Sequence, residues 1–239
     1  MRYAELPLPS GLEALVPAAW TLAPGDDAPA WIEHEATPDG CVEIIRRTSG
    51  RSTWIRAQPE YFVTGLSAAP IRFGFSGDAA FTAIKLWPWA WEMLSGPPCP
   101  AFADDWMALP ADHPAARFLT GNAADLPLRL QAFFAGRAAP PIASAILNAR
   151  SVMAVATRAN MTPRALQRWF ARHIGLTPRT YLRLLRFRTS LLTLPDQASL
   201  AGHAAEQGYA DQAHMARDFR ALAGTAPRDA RKRAKGPFL

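Results

Sequence analysis

Two segments in the C-terminal part of the chain carry the same order of apolar, turn and cap residues, which is the pattern of a helix-turn-helix. The first covers residues 152–170 and the second covers residues 199–219. In such a unit one helix supports a second helix, whose exposed face fits the major groove of DNA. A single chain with two units can therefore contact two groove segments.

The first unit has clear signals for where its helices begin and end. Asn160 can adopt the left-handed conformation that closes the support helix. Thr162 offers its hydroxyl as a cap, and Pro163 fills the first helical position, where a missing amide hydrogen costs nothing. Leu166 and Phe170 share the inward face of the next helix. Its polar residues point elsewhere and are candidates for DNA contact: Arg164, Gln167, Arg168 and Arg172.

A linker helix is predicted over residues 178–192. Gly175 ends the preceding helix, and Thr177-Pro178 repeats the cap signal. Fifteen helical residues span roughly 22 Å. We therefore expect a rigid spacer that holds the two units at a fixed separation.

The second unit repeats the same logic. Gly208 ends its support helix, and Asp211 is the predicted N-cap of the next helix. Met215 and Phe219 lie one turn apart and face inward. The residues left on the exposed side as candidates for DNA contact are Gln212, His214 and Arg217.

The charge of the chain is divided unevenly. Residues 150–239 hold 16 Lys and Arg against 5 Asp and Glu, a net charge of +11, whereas residues 1–149 hold 10 against 15, a net charge of −5. Such a split suits a polyanion on the C-terminal side only. The basic segment 231–235 would either add phosphate neutralisation or remain disordered.

Short strand-like segments dominate the N-terminal half. They lie near residues 31–35 and at 41–47, 52–57, 61–66, 71–75 and 80–86. Their β-branched and aromatic content and roughly ten-residue spacing predict a small antiparallel sheet or barrel. Helical patterns near residues 88–95 and 112–135 are expected to cover the sheet or form a dimer surface.

The sequence thus predicts an α+β protein of two domains. Residues 1–139 form a β-rich, barrel-like sensor or oligomerisation domain with covering helices, and residues 140–239 form an all-α domain. The boundary falls in a small, Pro-containing segment where the charge changes sign. The all-α domain contains the first helix-turn-helix at 151–173, the linker helix at 178–192 and the second helix-turn-helix at 199–223.

Six stretches spread over residues 150–231 add a more specific signal. They are Leu166-Gln167-Arg168-Trp169-Phe170, Gly175-Leu176-Thr177-Pro178, Tyr181-Leu182-Arg183, Gly208-Tyr209-Ala210-Asp211-Gln212, Arg217-Asp218-Phe219-Arg220 and Gly224-Thr225-Ala226-Pro227. At this spacing they resemble the DNA-binding domain of the AraC/XylS family of bacterial transcription regulators. The resemblance implies that Arg164, Gln167 and Arg168 lie where the first recognition helix meets bases. It implies the same for Gln212, His214 and Arg217 in the second helix.

The second unit departs from the family pattern. Gly202-His203 stands where the family has a polar residue followed by an apolar core residue, and Met215 replaces a usual Phe. Glycine inside a helix costs up to about 1 kcal/mol relative to alanine. We therefore expect the second unit to be less stable or less strongly docked than the first.

The N-terminal half carries a shorter resemblance. Segments 37–45 and 62–66 are similar to the poorly characterised N-terminal domain attached to a subset of these regulators. This implies a sensor or oligomerisation role. Its aromatic residues could line an apolar ligand pocket or simply pack as core. The half lacks the His-rich pattern of metal-binding cupins, so we expect no metal and no cofactor.

The two cysteines, Cys41 and Cys99, have no CxxC spacing. This favours a reducing cytoplasm, and neither a signal peptide nor a run of roughly 18 apolar residues is present. One alternative function is an alkyl-accepting or DNA-modifying protein that uses Cys41 or Cys99. Another is a basic module that binds an acidic protein.

The favoured prediction is a sequence-specific transcription regulator that is not an enzyme. Double-stranded DNA is its predicted partner, and a small-molecule effector, RNA polymerase and a second copy of the chain are further candidates. No membrane partner is expected.

Overall fold

This computed structural model describes residues 1–94, 96–194 and 199–233. In these residues a β-rich part is followed by a helical part. The strands are β1 Arg2–Glu5, β2 Ala18–Ala23, β3 Trp31–Ala36, β4 Val42–Ser49, β5 Ser52–Trp54, β6 Arg56–Ala57, β7 Tyr61–Thr64, β8 Ile71–Ser76, β9 Ala80–Leu86 and β10 Trp106–Ala108. The helices are α1 Pro88–Glu92, α2 Pro114–Arg117, α3 Leu126–Phe134, α4 Pro141–Leu147, α5 Val152–Arg158, α6 Pro163–His173, α7 Pro178–Thr193, α8 Leu200–Glu206, α9 Gln212–Ala223 and α10 Pro227–Arg233. Two 3-10 helices cover Cys99–Phe102 and Ala123–Asp125. The α+β class predicted from the sequence is confirmed.

The strands form two antiparallel sheets. One has six strands in the order β1-β2-β9-β4-β7-β10, and the other has four in the order β3-β8-β5-β6. All the predicted strand segments are found, although 52–57 divides into β5 and β6. The sequence pattern missed β1, β2, β10 and helix α4. Strands β1 and β10 have only four and three residues, and β2 and α4 directly follow prolines that indicate irregular chain.

Strand β4 crosses the middle of the larger sheet and buries both of its faces. Val42 and Ile44 belong to the core beneath the helices, whereas Ile45 belongs to the core between the two sheets. Because side chains alternate along a strand, Glu43 lies on the same face as Ile45. A carboxylate therefore points into the space between the sheets.

The buried core continues from the β-rich part into the first helix-turn-helix. One cluster extends from Leu12 to Phe170 and Tyr181. The second unit has a separate core that includes Phe187 and Phe219. Helix α7 supplies residues to both cores and so ties the units together. The domain boundary at residue 139 stays a prediction. The predicted basic tail lies outside the described residues beyond position 233.

Candidate DNA-binding surface and interior cavity

Helix α6 of the first unit presents the polar face that the sequence predicts. Thr162 Oγ1 accepts a hydrogen bond from the Ala165 amide at 3.2 Å, and Pro163 occupies the first position. Leu166 and Phe170 are fully buried. The four candidate residues of this helix, Arg164, Gln167, Arg168 and Arg172, are all exposed. They remain accessible to a large partner such as a duplex.

Helix α9 of the second unit is built in the same way. Asp211 Oδ1 accepts a hydrogen bond at 2.6 Å from the amide three residues later. Met215 and Phe219 are fully buried against α7 and α8. Gln212 and Arg217 are exposed.

His214 differs from the other candidates because its ring is held by its own turn. It is half-buried, its ring lies edge-on to Tyr209 with centroids 5.3 Å apart, and its Nδ1 lies 3.4 Å from the Ala210 amide nitrogen. Arg220, one turn after Arg217, is exposed as well and extends the basic surface of α9.

A cleft of about 630 Å³ between the two units is lined by four arginines that the sequence did not mark as site residues. Arg183 Nε and Arg186 Nη2 lie 2.8 and 3.4 Å from the carboxylate of Asp218, which is almost fully buried. Arg150 and Arg179 are exposed at the same cleft. The sequence signal that could have indicated these residues was the excess of arginine in the linker segment. Only the fold places the four arginines around one cleft.

Two of the departures from the family pattern in the second unit, His203 and Met215, are connected through Ser190. His203 is buried, and its Nε2 lies 3.1 Å from Ser190 Oγ and 3.0 Å from the Ser190 carbonyl oxygen. Ser190 Oγ in turn lies 3.6 Å from Met215 Sδ. The polar histidine is therefore satisfied by a serine of α7. Gly202 lies on the exposed side of α8.

The β-rich part contains a cavity of about 100 Å³ between its two sheets. The Trp20 indole donates a hydrogen bond to Glu43 Oε1 at 2.7 Å, and Lys85 Nζ lies 2.7 Å from Asp39 Oδ2. Burial raises the pKa of Glu43 to about 7 against the opposing effect of Lys85. Burial alone would lower the pKa of Lys85, but Asp39 and Glu43 hold it above its ordinary value. Trp54, Phe73 and Phe81 line the cavity, whereas Trp87, Trp89 and Trp91 pack as core.

The cavity wall touches the linker helix directly. The Tyr181 hydroxyl donates a hydrogen bond to the Gly40 carbonyl oxygen at 2.8 Å, in a buried position. Nearby, the Arg188 guanidinium lies 5.3 Å from the centroid of the Trp87 ring, and His173 Nδ1 lies 2.8 Å from Glu92 Oε1. The first helix-turn-helix and α7 are thus fastened to the β-rich part.

Both cysteines are buried and unpaired. Burial raises the pKa of Cys41 well above its ordinary value and that of Cys99 to about 12. A thiol in this state is a poor nucleophile, which weighs against the alkyl-accepting alternative. None of the helices in the described part is long and apolar enough to cross a membrane.

Two families match the chain, one for each part. Residues 155–233 match a family described as a helix-turn-helix domain, and this family is of the AraC type. The C-terminal part is an AraC-type helix-turn-helix domain. Residues 5–108 match a domain of unknown function, DUF6597. The AraC-type domain supports a DNA-binding transcription regulator, a class that is normally not enzymatic.

Two solved structures share the fold of this chain, and a third is similar to part of it. ToxT from Vibrio cholerae O395, bound to (E)-4-(8-methylnaphthalen-1-yl)but-3-enoic acid, is 10% identical, with 98% of this chain and 100% of ToxT covered at a TM-score of 0.51. A second ToxT structure from Vibrio cholerae is 10% identical, with 91% and 98% covered at a TM-score of 0.50. A probable AraC family transcriptional regulator from Rhodopseudomonas palustris CGA009 is 21% identical over 40% of this chain and 91% of its own, with a TM-score of 0.33. Among curated proteins, none matches the chain.

Proposed function

We propose that this chain regulates transcription by placing α6 and α9 in two successive major-groove segments of one duplex, about 34 Å apart. The observation that carries the proposal is the repeated construction of the two helices. Each has a side-chain cap, two fully buried residues one turn apart and an exposed polar face. Helix α7 packs into the cores of both units and so fixes their separation.

The roles of the candidate residues follow from their chemistry. Arg164 and Arg168 in α6, and Arg217 in α9, can make paired hydrogen bonds to guanine, while Gln167 and Gln212 can pair with adenine. Arg172 lies in the last turn of α6 and binds phosphate in this proposal. His214, at the start of α9, contacts the duplex through the edge of its ring that its own turn leaves accessible.

A small ligand in the β-rich part modulates DNA binding in this proposal. The cavity between the sheets and its contact with α7 support this role. ToxT, which shares the fold, has been solved with a small organic acid bound. RNA polymerase and a second copy of the chain stay predicted partners.

The test of DNA readout begins with duplexes selected by the protein from a random library. Dissociation constants are then measured by fluorescence anisotropy on a selected and a scrambled duplex. Arg168→Ala should weaken binding to the selected duplex by about 1–3 kcal/mol and should weaken binding to the scrambled duplex less, because only the selected site offers the paired base contact. Arg117→Ala, an exposed arginine of α2, is the matched control and should affect neither.

A salt series separates this function from that of a basic protein-binding module. Affinity for duplex should fall linearly in the logarithm of salt concentration, with a steep slope, because several phosphates are neutralised. Absence of duplex binding would refute the proposed function. Equal losses by Arg168→Ala on both duplexes would refute the assignment of Arg168 to bases.

A further inference from the structure

The cavity between the sheets has more acidic than basic side chains in its lining. Three charged side chains line it: Asp39, Glu43 and Lys85. The single cation, Lys85, already lies 2.7 Å from Asp39. Glu43 sits deep in the fold, accepts a hydrogen bond from Trp20, and shares the positive charge of Lys85 with Asp39. A ligand that carries positive charge would therefore balance this carboxylate.

The Ser52 hydroxyl is a further polar group of the cavity. Ser52, on β5 of the smaller sheet, is only 5% exposed, and its Oγ makes no hydrogen bond with any described residue. It lines the same cavity as Glu43, which lies on β4 of the larger sheet. Burying a hydroxyl without a hydrogen bond destabilises a fold. A ligand that hydrogen bonds to Ser52 would remove this cost and bridge the two sheets.

The remaining walls are aromatic. Trp20, Trp54, Phe73 and Phe81 line the cavity around the polar groups. Aromatic faces attract organic cations, and the attraction is strongest when the site is dry. The volume of about 100 Å³ is smaller than the roughly 150 Å³ apolar cavity that holds benzene, so the ligand is small, with about seven non-hydrogen atoms at most.

We propose that this cavity binds a small organic ammonium compound, with the charged nitrogen at Glu43, a hydroxyl or similar group at Ser52 and the alkyl body between the aromatic rings. This rests on the proposed ligand modulation and names its ligand class. A metal ion does not fit as well, because the described residues bring no three metal-ligating side chains together, and the polar groups of this cavity lie among aromatic rings.

The same cavity is coupled to the linker helix by one short turn. Asp39 and Cys41 line the cavity, and Gly40 between them accepts the hydrogen bond from Tyr181 of α7. Gly40 has φ +77°, and a Cβ atom placed there would lie 3.2 Å from the Tyr181 ring and 3.3 Å from Leu185. A ligand that displaces the Asp39 turn therefore acts on the helix that joins the two DNA-binding units.

Three probes of nearly the same shape test the ligand class on the full chain: choline, its uncharged isostere 3,3-dimethyl-1-butanol and the anion 3,3-dimethylbutanoate. Binding is measured by calorimetry and by the fluorescence of the cavity tryptophans. Choline should bind about tenfold more tightly than the alcohol. Glu43→Gln should weaken choline binding about tenfold and leave the alcohol unchanged. The proposal would be overturned if the anion bound most tightly of the three, if choline did not bind, or if Glu43→Gln left the choline affinity unchanged.

Ser52→Ala gives a second variant that should fold, because it removes a hydroxyl that makes no hydrogen bond to the part of the chain that the structure describes. It should weaken choline binding about fivefold, the worth of one hydrogen bond, without changing the affinity for tetramethylammonium, which has no hydroxyl. Equal changes for both cations would contradict the role of Ser52.

Coupling is tested by measuring duplex affinity with and without saturating choline. The ligand should change it by about fivefold or more. Tyr181→Phe should still bind choline and duplex but lose this effect, since it lacks the hydroxyl that contacts Gly40. Choline binding with an unchanged duplex affinity in the wild-type chain would refute the coupling. Choline binding by a chain that binds no duplex would instead refute the proposed function and leave the ligand class standing.

Discussion

Replacing Glu43 by glutamine removes an ionisable group from the interior of the β-rich part while keeping its shape. Glutamine retains one carbonyl oxygen, so the Trp20 indole keeps an acceptor where it now donates to Glu43 Oε1 at 2.7 Å. The substitution therefore isolates the cost of burying the charge.

The magnitude follows from the pKa. Burial raises the pKa of Glu43 from its ordinary value of 4.5 to about 7, although Lys85 acts in the opposite direction. One pKa unit corresponds to about 1.4 kcal/mol, so ionised Glu43 destabilises the fold by about 3 kcal/mol relative to its protonated form. The folded chain holds a proton that the unfolded chain releases in this pH range. The stability that comes from keeping Glu43 protonated is therefore fully present below pH 4.5 and is lost as the pH rises through 7.

Urea unfolding of the wild-type chain and the Glu43→Gln variant measures the effect at several pH values. The free energy of unfolding of the variant, taken relative to that of the wild type, should rise by about 2–3 kcal/mol between about pH 5 and pH 8. Most of this rise should occur below pH 7. The charged or titratable groups that act on Glu43 or are affected by it are Asp39, Lys85, Tyr3 and Cys41. They are the same in both proteins, so their own contributions largely cancel in the difference.

Glu33→Gln is the matched control, because it removes an exposed carboxyl from the smaller sheet. At each pH this surface substitution should change the free energy of unfolding by less than about 0.5 kcal/mol. A difference between Glu43→Gln and the wild type that does not change with pH would refute the reasoning that this carboxylate is buried at a cost.

Three further substitutions test the packing of the helical part and the turn that contacts it. Ser190→Ala removes the hydroxyl that lies between His203 and Met215 and should lower the free energy of unfolding by about 1 kcal/mol in urea titration. Thr189→Ala, at the exposed neighbouring position, should lower it by less than about 0.5 kcal/mol. Equal losses would contradict a stabilising role for the Ser190 hydroxyl. Asp211→Ala removes the cap of α9 and should cost about 1 kcal/mol, whereas Asp211→Asn keeps a capping side chain and should cost little in the same assay. Gly40→Ala should lower the stability measured by thermal unfolding more than Gly136→Ala does. Both residues have positive φ, but a Cβ at Gly40 meets α7 whereas Gly136 has nothing within 4 Å; equal losses would show that the contact with α7 is not tight.

The two helix-turn-helix units could be predicted from the sequence alone. Thr162 and Asp211 cap the helices as their positions indicate, and both caps are closed by the amide three residues later. The inward pairs at i and i+4 are buried, and Gln167, Arg168 and Arg217 between them are exposed, whereas Asp218 is buried. Caps and helix faces are set by residues within one or two turns of each other, so the sequence contains all of the relevant partners.

The interior of the β-rich part could not be predicted in this way. Alternation in β4 leaves two choices for Glu43, and only the pairing of the sheets decides that it faces the cavity. The Asp39–Lys85 ion pair joins residues 46 positions apart, and Tyr181 contacts Gly40 across 141 positions. His203 departs from the apolar pattern of its helix, and Ser190, which satisfies it, lies on another helix.

Local signals thus determined that the chain has two capped helices with exposed basic faces. The tertiary structure alone decided which polar groups are buried, which of them are paired and how the cavity meets the linker helix. The physical reason is that burial and pairing depend on sheet register and helix packing between distant segments, whereas capping depends on neighbours along the chain.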